Sequence, residues 1–163
     1  MGQASPIPSS INSSRLSVLI VDGYDNDRQY YAHRLKVSSP DYDITEAADG
    51  KSALTLCQSH SFDCIILELD LPDTSGFEIL LRLVQTPATP EVPVIVLTRL
   101  YYEPLHQLAK RNGAVASLNK AGTSGDVLDQ VVFKTVGRLK KEKPLRRTDN
   151  FGLTDSQLGY GGK

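Results

Sequence analysis

Four apolar runs in this chain end on a side chain that can do chemistry. Leu16–Val21 is followed by Asp22, Phe62–Leu67 by Glu68, Val94–Leu97 by Thr98, and Val115–Asn119 by Lys120. A charge closing an apolar run is costly unless water or a partner meets it. Two carboxylates beside an ammonium and a hydroxyl can hold a hydrated divalent cation and a phosphoryl oxygen. The same four groups can equally form an ion-paired rim on an ordinary domain, and their types leave both readings open.

Whether these groups meet depends on the elements that carry them. Each run is too short for a buried helix and suits a strand covered on both faces. Helical spacing follows each of them. Tyr31 and Leu35 lie four apart in 25–37, and Ala53, Leu54 and Cys57 share a face behind Asp49 as cap. Ile79, Leu80 and Leu83 do the same in 77–85, a helix spans 104–112 with Gly113 at its end, and Val127, Leu128, Val131, Val132, Val136 and Leu139 make a final stripe. Thr123-Ser-Gly-Asp126 loosely matches a capping box for that last helix. With Tyr42–Ala47 as a second, shorter strand, five strands alternate with five helices. The expected fold is α/β and flavodoxin-like, a (βα)5 doubly wound parallel five-stranded sheet of order 2-1-3-4-5. Ligands bind such sheets at the carboxyl ends of the strands, which is where Asp22, Glu68, Thr98 and Lys120 fall.

Composition narrows the class without naming a partner. The 163 residues are 40% apolar and 23% charged, enough for one cored domain with tails, and a net charge of −1 gives no global attraction to nucleic acid or membrane. Cys57 and Cys64 are too few for a disulfide framework or a zinc site. No run approaches the roughly 20 apolar residues of a membrane span. The start lacks a secretory h-region, so a cytoplasmic location is expected. Residues 1–14 read as a disordered arm, 15–141 as the domain and 142–163 as a flexible tail.

Several local motifs, in order, carry a resemblance. Val18-Leu-Ile-Val-Asp22, Ile65-Ile-Leu-Glu-Leu-Asp-Leu-Pro72, Asp73-Thr-Ser-Gly76 before Phe77, Pro93-Val-Ile-Val-Leu-Thr98, and Gly113-Ala114 followed by Lys120 stand in sequence at matching spacing. Together they resemble the response-regulator receiver domains of bacterial two-component signalling, over roughly residues 15 to 141. The resemblance implies that Glu68 stands at the phospho-acceptor position, with Asp22, Thr98 and Lys120 around it and Asp70 giving a backbone carbonyl to Mg²⁺.

The departures from that pattern are specific. The family closes strand one with two acidic residues, and here Gly23 follows Asp22, so one Mg²⁺ ligand is missing. Metal binding through Asp22 and Asp70 is expected to be weak or lost, with Asp25 the nearest candidate replacement. Glu68 replaces the acceptor aspartate, and its extra methylene misplaces the carboxylate for in-line phosphoryl transfer, a kind of error that can cost on the order of a hundredfold in rate. Glu68 therefore reads either as a plainly inactive acceptor or as a partial mimic that bonds Thr98 or Lys120, with a charge near −1 against about −1.5 to −2 for a phosphate group. Asp70 is the substitute acceptor to consider. Arg99 stands where the family has a small residue and is placed to cover or neutralise the acidic pocket. Ser117 occupies the position of the family's switch aromatic, so that switch cannot operate.

The reading that follows is an atypical, pseudo-receiver type without enzymatic activity, acting as a phosphorylation-independent protein-interaction module. The resemblance implies a histidine kinase or downstream effector as partner. It also implies a contact face on helix four, strand five and helix five, with Tyr101, Tyr102 and Ser117 on it and a homodimer through it as an option. No cofactor beyond weak Mg²⁺ is expected. Two alternatives stay open: a working Mg²⁺-dependent phospho-switch with a rearranged site, and a nucleic-acid-binding protein using the basic segment Arg138–Arg147, for which helix-dipole complementation is the plainer account.

Overall fold

Alternate residues of each central strand enter opposite cores, which is why the strand sequences are apolar throughout rather than alternating. The computed structural model describes residues 15–85 and 92–142. Along β1 (Leu16–Val21), Leu19 and Val21 enter one core, while Val18 and Ile20 enter the other. β3 (Cys64–Leu67) divides the same way, with Ile65 and Leu67 opposite Cys64 and Ile66. Each such Val, Leu or Ile contributes about 1.5–3 kcal/mol on burial. The first core is roofed by α2 (Gly50–Ser59), α3 (Gly76–Gln85) and α4 (Glu103–Arg111) through Ala53, Ile79, Leu80, Leu83 and Ala109. The second lies under α1 (Asp25–Ser38) and α5 (Gly125–Glu142) through Tyr31, Ala32, Leu35, Leu128, Val132 and Val136.

β2 (Tyr42–Ala47), β4 (Val94–Thr98) and β5 (Ala116–Asn119) complete a parallel sheet of order β2-β1-β3-β4-β5. This is the flavodoxin-like (βα)5 arrangement expected from the sequence. The register sets the site: Val21 pairs with Leu67, so Asp22 and Glu68 leave the sheet side by side, and Thr98 pairs with Asn119 just before Lys120. No helix among the described residues is long and apolar enough to cross a membrane.

Local chemistry fixes the ends. Asp49 Oδ1 caps α2 by accepting from Ser52 N–H at 2.7 Å. Gly113 follows α4 at a φ of 103°, a left-handed value that glycine accepts without a Cβ penalty. The expected capping box shifts by one residue. Ser124 Oγ, not Thr123, accepts from Val127 N–H at 3.3 Å, while Thr123 Oγ donates back to the Asn119 carbonyl at 2.8 Å. Of the predicted α5 stripe, Leu128, Val132 and Val136 are buried and Val131 packs partly buried against the same core, while Val127 is exposed. The expected arm 1–14, the tail from 143 onward and residues 143–147 of the basic segment lie outside the described residues, and α5 continues to Glu142.

Candidate functional site

The four strand-end residues meet, and a lysine ammonium lies at their centre. Lys120, the first residue after β5, opens a single 3-10 turn, Lys120–Gly122, whose start is held by Asn119 Oδ1 accepting from Ala121 N–H. Its Nζ lies 2.7 Å from Asp22 Oδ2, 2.8 Å from Glu68 Oε2 and 2.9 Å from Asp27 Oδ2. Its side chain is 7% exposed and that of Glu68 is 0%, so this is an interior ion cluster rather than a wet rim. Such a cluster survives only when its lone pairs and protons are satisfied.

Glu68 is satisfied completely. Its Oε1 accepts from the Thr98 hydroxyl and from the backbone N–H groups of Leu69 (2.7 Å) and Asp70 (3.1 Å). Its Oε2 accepts from Arg99 N–H at 3.1 Å besides pairing with Lys120. Asp22 Oδ1 takes the Tyr24 N–H at 2.9 Å. Burial pushes the Asp22 carboxyl up, against the opposing pull of its hydrogen bond to Lys120. Burial also draws the Lys120 ammonium down, but its hydrogen bonds to Asp22, Glu68 and Asp27 outweigh this and leave it raised.

Two residues from outside the strand ends close the site. Asp27, in the first turn of α1, receives both Nε (2.7 Å) and Nη2 (2.8 Å) of Arg99. The Arg99 guanidinium lies 4.0 Å from the Tyr24 ring centroid, a cation–π contact. Tyr24 OH donates to Asp70 Oδ2 at 2.5 Å. The Arg99 side chain thus pairs with Asp27 over the Tyr24 ring, and only its backbone N–H reaches Glu68.

Asp27 carries a testable pH dependence. The Arg99 hydrogen bond, with Lys120 adding to it, holds its carboxyl at about 2 against an ordinary value of 3.8. A carboxylate with a depressed folded value adds stability that is complete above the unfolded value and is lost as pH falls through the folded one. Asp27→Asn is therefore expected to be less stable than the native chain at pH 6, with the gap closing between about pH 4 and about pH 2. Urea midpoints across that window measure it. Asp22, being raised, has the opposite sign, so the variant-minus-native difference is the quantity to read. A gap that is constant with pH would show that Asp27 titrates normally.

A family model for the response regulator receiver domain matches residues 18–132. The chain is a response-regulator receiver. It is 30% identical over 129 residues to the gliding motility regulatory protein of Myxococcus xanthus, covering 79% of this chain and 16% of that protein. It is 27% identical over 104 residues to the polar-differentiation response regulator DivK of Brucella anthropi, covering 64% of this chain and 83% of that one. Among solved structures, a CheY-like receiver domain protein from Methanospirillum hungatei JF-1 shares the fold, with a TM-score of 0.73 and 21% identity over 80% of this chain and 100% of that one. The receiver domain of Francisella response regulator 1452 gives a TM-score of 0.69 at 26% identity, over 76% and 98%. The chain spans under a third of the length of several curated relatives, 16% for the gliding motility protein and 28% for the Xanthomonas campestris regulator RpfG.

Receivers of this kind are expected to hold Mg²⁺ at the acidic end of strand one, and the residues here do not fit it. A Cβ at Gly23 would stand 2.8 Å from Pro72 Cδ, so the proline of the β3–α3 loop fills the space where a second acidic side chain would leave the backbone. The Asp22 carboxylate is committed to Lys120 and the Tyr24 N–H, and the Asp70 carboxylate to the Tyr24 hydroxyl. Asp25 does not replace the missing ligand. It points to Arg28 at 2.7 Å, and that arginine also reaches Glu46. Among the described residues no group of three His, Cys, Asp or Glu side chains is arranged to hold a metal.

The acidic stretch from Asp63 to Glu78 serves the site less than its composition suggests. Asp63 accepts from Ser17 N–H, Asp73 from the N–H groups of Gly50 and Lys51, and Glu78 from Thr74. On the expected contact face, Tyr101 is 88% and Tyr102 61% exposed. Ser117 is less open than the two tyrosines. It lies half-buried against α4, where its Oγ shares a hydrogen bond of 2.7 Å with Nδ1 of His106, a residue the sequence reading did not single out.

Proposed function

We propose that this receiver works without phosphorylation, as a protein-interaction module whose acceptor position is held by Glu68. The supporting observation is the saturation of that carboxylate. The Thr98 hydroxyl, the Lys120 ammonium and three backbone N–H groups all point at it, and these are the donors an incoming phosphoryl group would need. On this reading Glu68 acts as a built-in anion, Mg²⁺ is not required, and the chain has no enzymatic activity of its own. It acts in the cytoplasm on a protein, a histidine kinase or a downstream effector of its pathway. The contact uses α4, β5 and α5, with Tyr101 and Tyr102 as anchors, aromatics being favoured at interface hot spots. Nucleic acid is not its partner.

Intact mass after incubation with acetyl phosphate and Mg²⁺ tests this. The native chain is expected to stay unmodified. Restoring the receiver pattern takes Glu68→Asp and Gly23→Asp, with Pro72→Ala to relieve the contact at position 23. That triple variant is expected to gain one phosphoryl group. Phosphorylation of the native chain would overturn the proposal, and Asp70 would be the first residue to map.

A further inference from the structure

A pocket opens beside Ser117. Tyr101, Tyr102, Glu103, His106, Ser117 and Asn119 line a cavity of about 210 Å³ between the start of α4 and β5. Drug-sized ligands occupy about 300–1,000 Å³, so this volume suits a single side chain better than a metabolite. The lining combines two tyrosines with the polar side chains of His106, Ser117 and Asn119 and the Glu103 carboxylate, which also accepts a hydrogen bond from Gln107.

His106 is the informative member. It is 7% exposed, and its Nδ1 is engaged by the Ser117 hydroxyl. Its Nε2 has no hydrogen-bond partner among the described residues. Every fully buried side-chain nitrogen or oxygen among the described residues does have one, so Nε2 keeps some exposure, and His106 is a lining residue of the pocket. Whether it donates or accepts depends on which way the Ser117 hydrogen bond runs. A tyrosine hydroxyl serves in either case, because it both donates and accepts. Its ring can lie against Tyr102 while its polar end meets the imidazole, the two-ended character that places tyrosine at interfaces.

We propose that this pocket is a receptacle for a tyrosine side chain presented by a different protein, which plugs the space beside Ser117. The inference rests on the reading above in taking the α4–β5 face as the contact surface. A second copy of the chain is a poorer source. Its exposed Tyr101 and Tyr102 are themselves walls of the pocket, so exchanging them would dismantle the sites they filled, and a dimer through Tyr30 of α1 would show in the oligomeric state and overturn the choice of a different protein.

The test uses N-acetyl-tyrosinamide, with N-acetyl-phenylalaninamide as control, followed through the imidazole resonances of the chain's three histidines. Tyrosinamide is expected to shift His106 alone and saturably, about tenfold more tightly than phenylalaninamide for the one added hydrogen bond. Ser117→Tyr is expected to fill the pocket from within and abolish the shift. His106→Phe, followed by the backbone resonances of Ser117 and Asn119, is expected to bring the two amides to equal affinity and so stands independently if Ser117→Tyr fails to fold. Any of the following overturns the proposal: no His106 shift, equal binding of the two amides to the native chain, or a dimer that dissociates in Tyr101→Ala. Phosphorylation of the native chain would sink the Glu68 reading while leaving this titration unchanged, so the two failures are separable.

Discussion

Lys120→Met is expected to cost about 3–5 kcal/mol of folding stability, the usual result of removing one partner from a buried ion pair. The substitution keeps the approximate length of the side chain and removes the ammonium that touches all three carboxylates, leaving Asp22 and Glu68 buried without a cation among the described residues. Against a typical total of about 5–15 kcal/mol this is a large fraction, and a fall in Tm of roughly 10 °C or more should accompany it. Two further readouts identify the cause. Glu68→Gln in the same chain removes one of the stranded charges, so the double variant should be less destabilised than the sum of the two single changes, by about 1–3 kcal/mol. Asp22, whose carboxyl burial already pushes up, should also take up a proton more readily once its hydrogen bond to Lys120 is gone. A raised folded value means stability that is present at low pH and lost as pH rises, so the deficit of Lys120→Met should shrink on acidification. A loss under about 1 kcal/mol, the range of an exposed pair, would mean that water already screens the cluster.

Gly76→Ala is expected to cost about 3 kcal/mol, at the upper end for overpacking. A Cβ there would meet the Glu68 carbonyl oxygen and would lie 2.5 Å from Leu69 Cα. Both neighbours are backbone, which cannot swing aside as a side chain can. The Gly76 N–H also donates to the Leu69 carbonyl at 2.8 Å, tying the start of α3 to the stretch that supplies two of the hydrogen bonds on Glu68. The damage should therefore spread beyond global stability, and the Leu69 and Asp70 amides should lose hydrogen-exchange protection. Gly137→Ala is the natural contrast. Nothing lies within 4 Å of its added Cβ, and an alanine inside α5 should stabilise by about 0.5–1 kcal/mol. Equal effects of the two changes, read from urea midpoints, would refute the argument from close approach.

The fold was legible because the strands are fully buried runs and the helices between them carry 3.6-residue stripes, two signals that do not depend on tertiary detail. The strand-end residues were legible for the same reason, since a charge after a buried run has few places to go. Asp27 was not. Sequence proximity to Asp22 favoured Asp25, but two residues on a helix are about 200° apart. That rotation turns Asp25 toward Arg28 and Asp27 toward Lys120 and Arg99. Both acids read from sequence as ordinary first-turn residues that suit the helix dipole, and nothing in their types separates them. His106 was hidden in another way. It shares the buried side of α4 with Ala109, a placement that looks like simple amphipathic packing until Ser117 is seen beneath it.

Lys120 places a cation among three carboxylates by covalent attachment, at a spacing set by the end of β5. An ion held in this way has no free concentration. A dissolved metal or phosphodonor informs a protein through mass action, because occupancy follows supply. A tethered ammonium facing a genetically encoded carboxylate is fully occupied from the moment the chain folds. On the proposed reading, such a protein has its state written at synthesis, and the variable its partners can sense is how many copies are present.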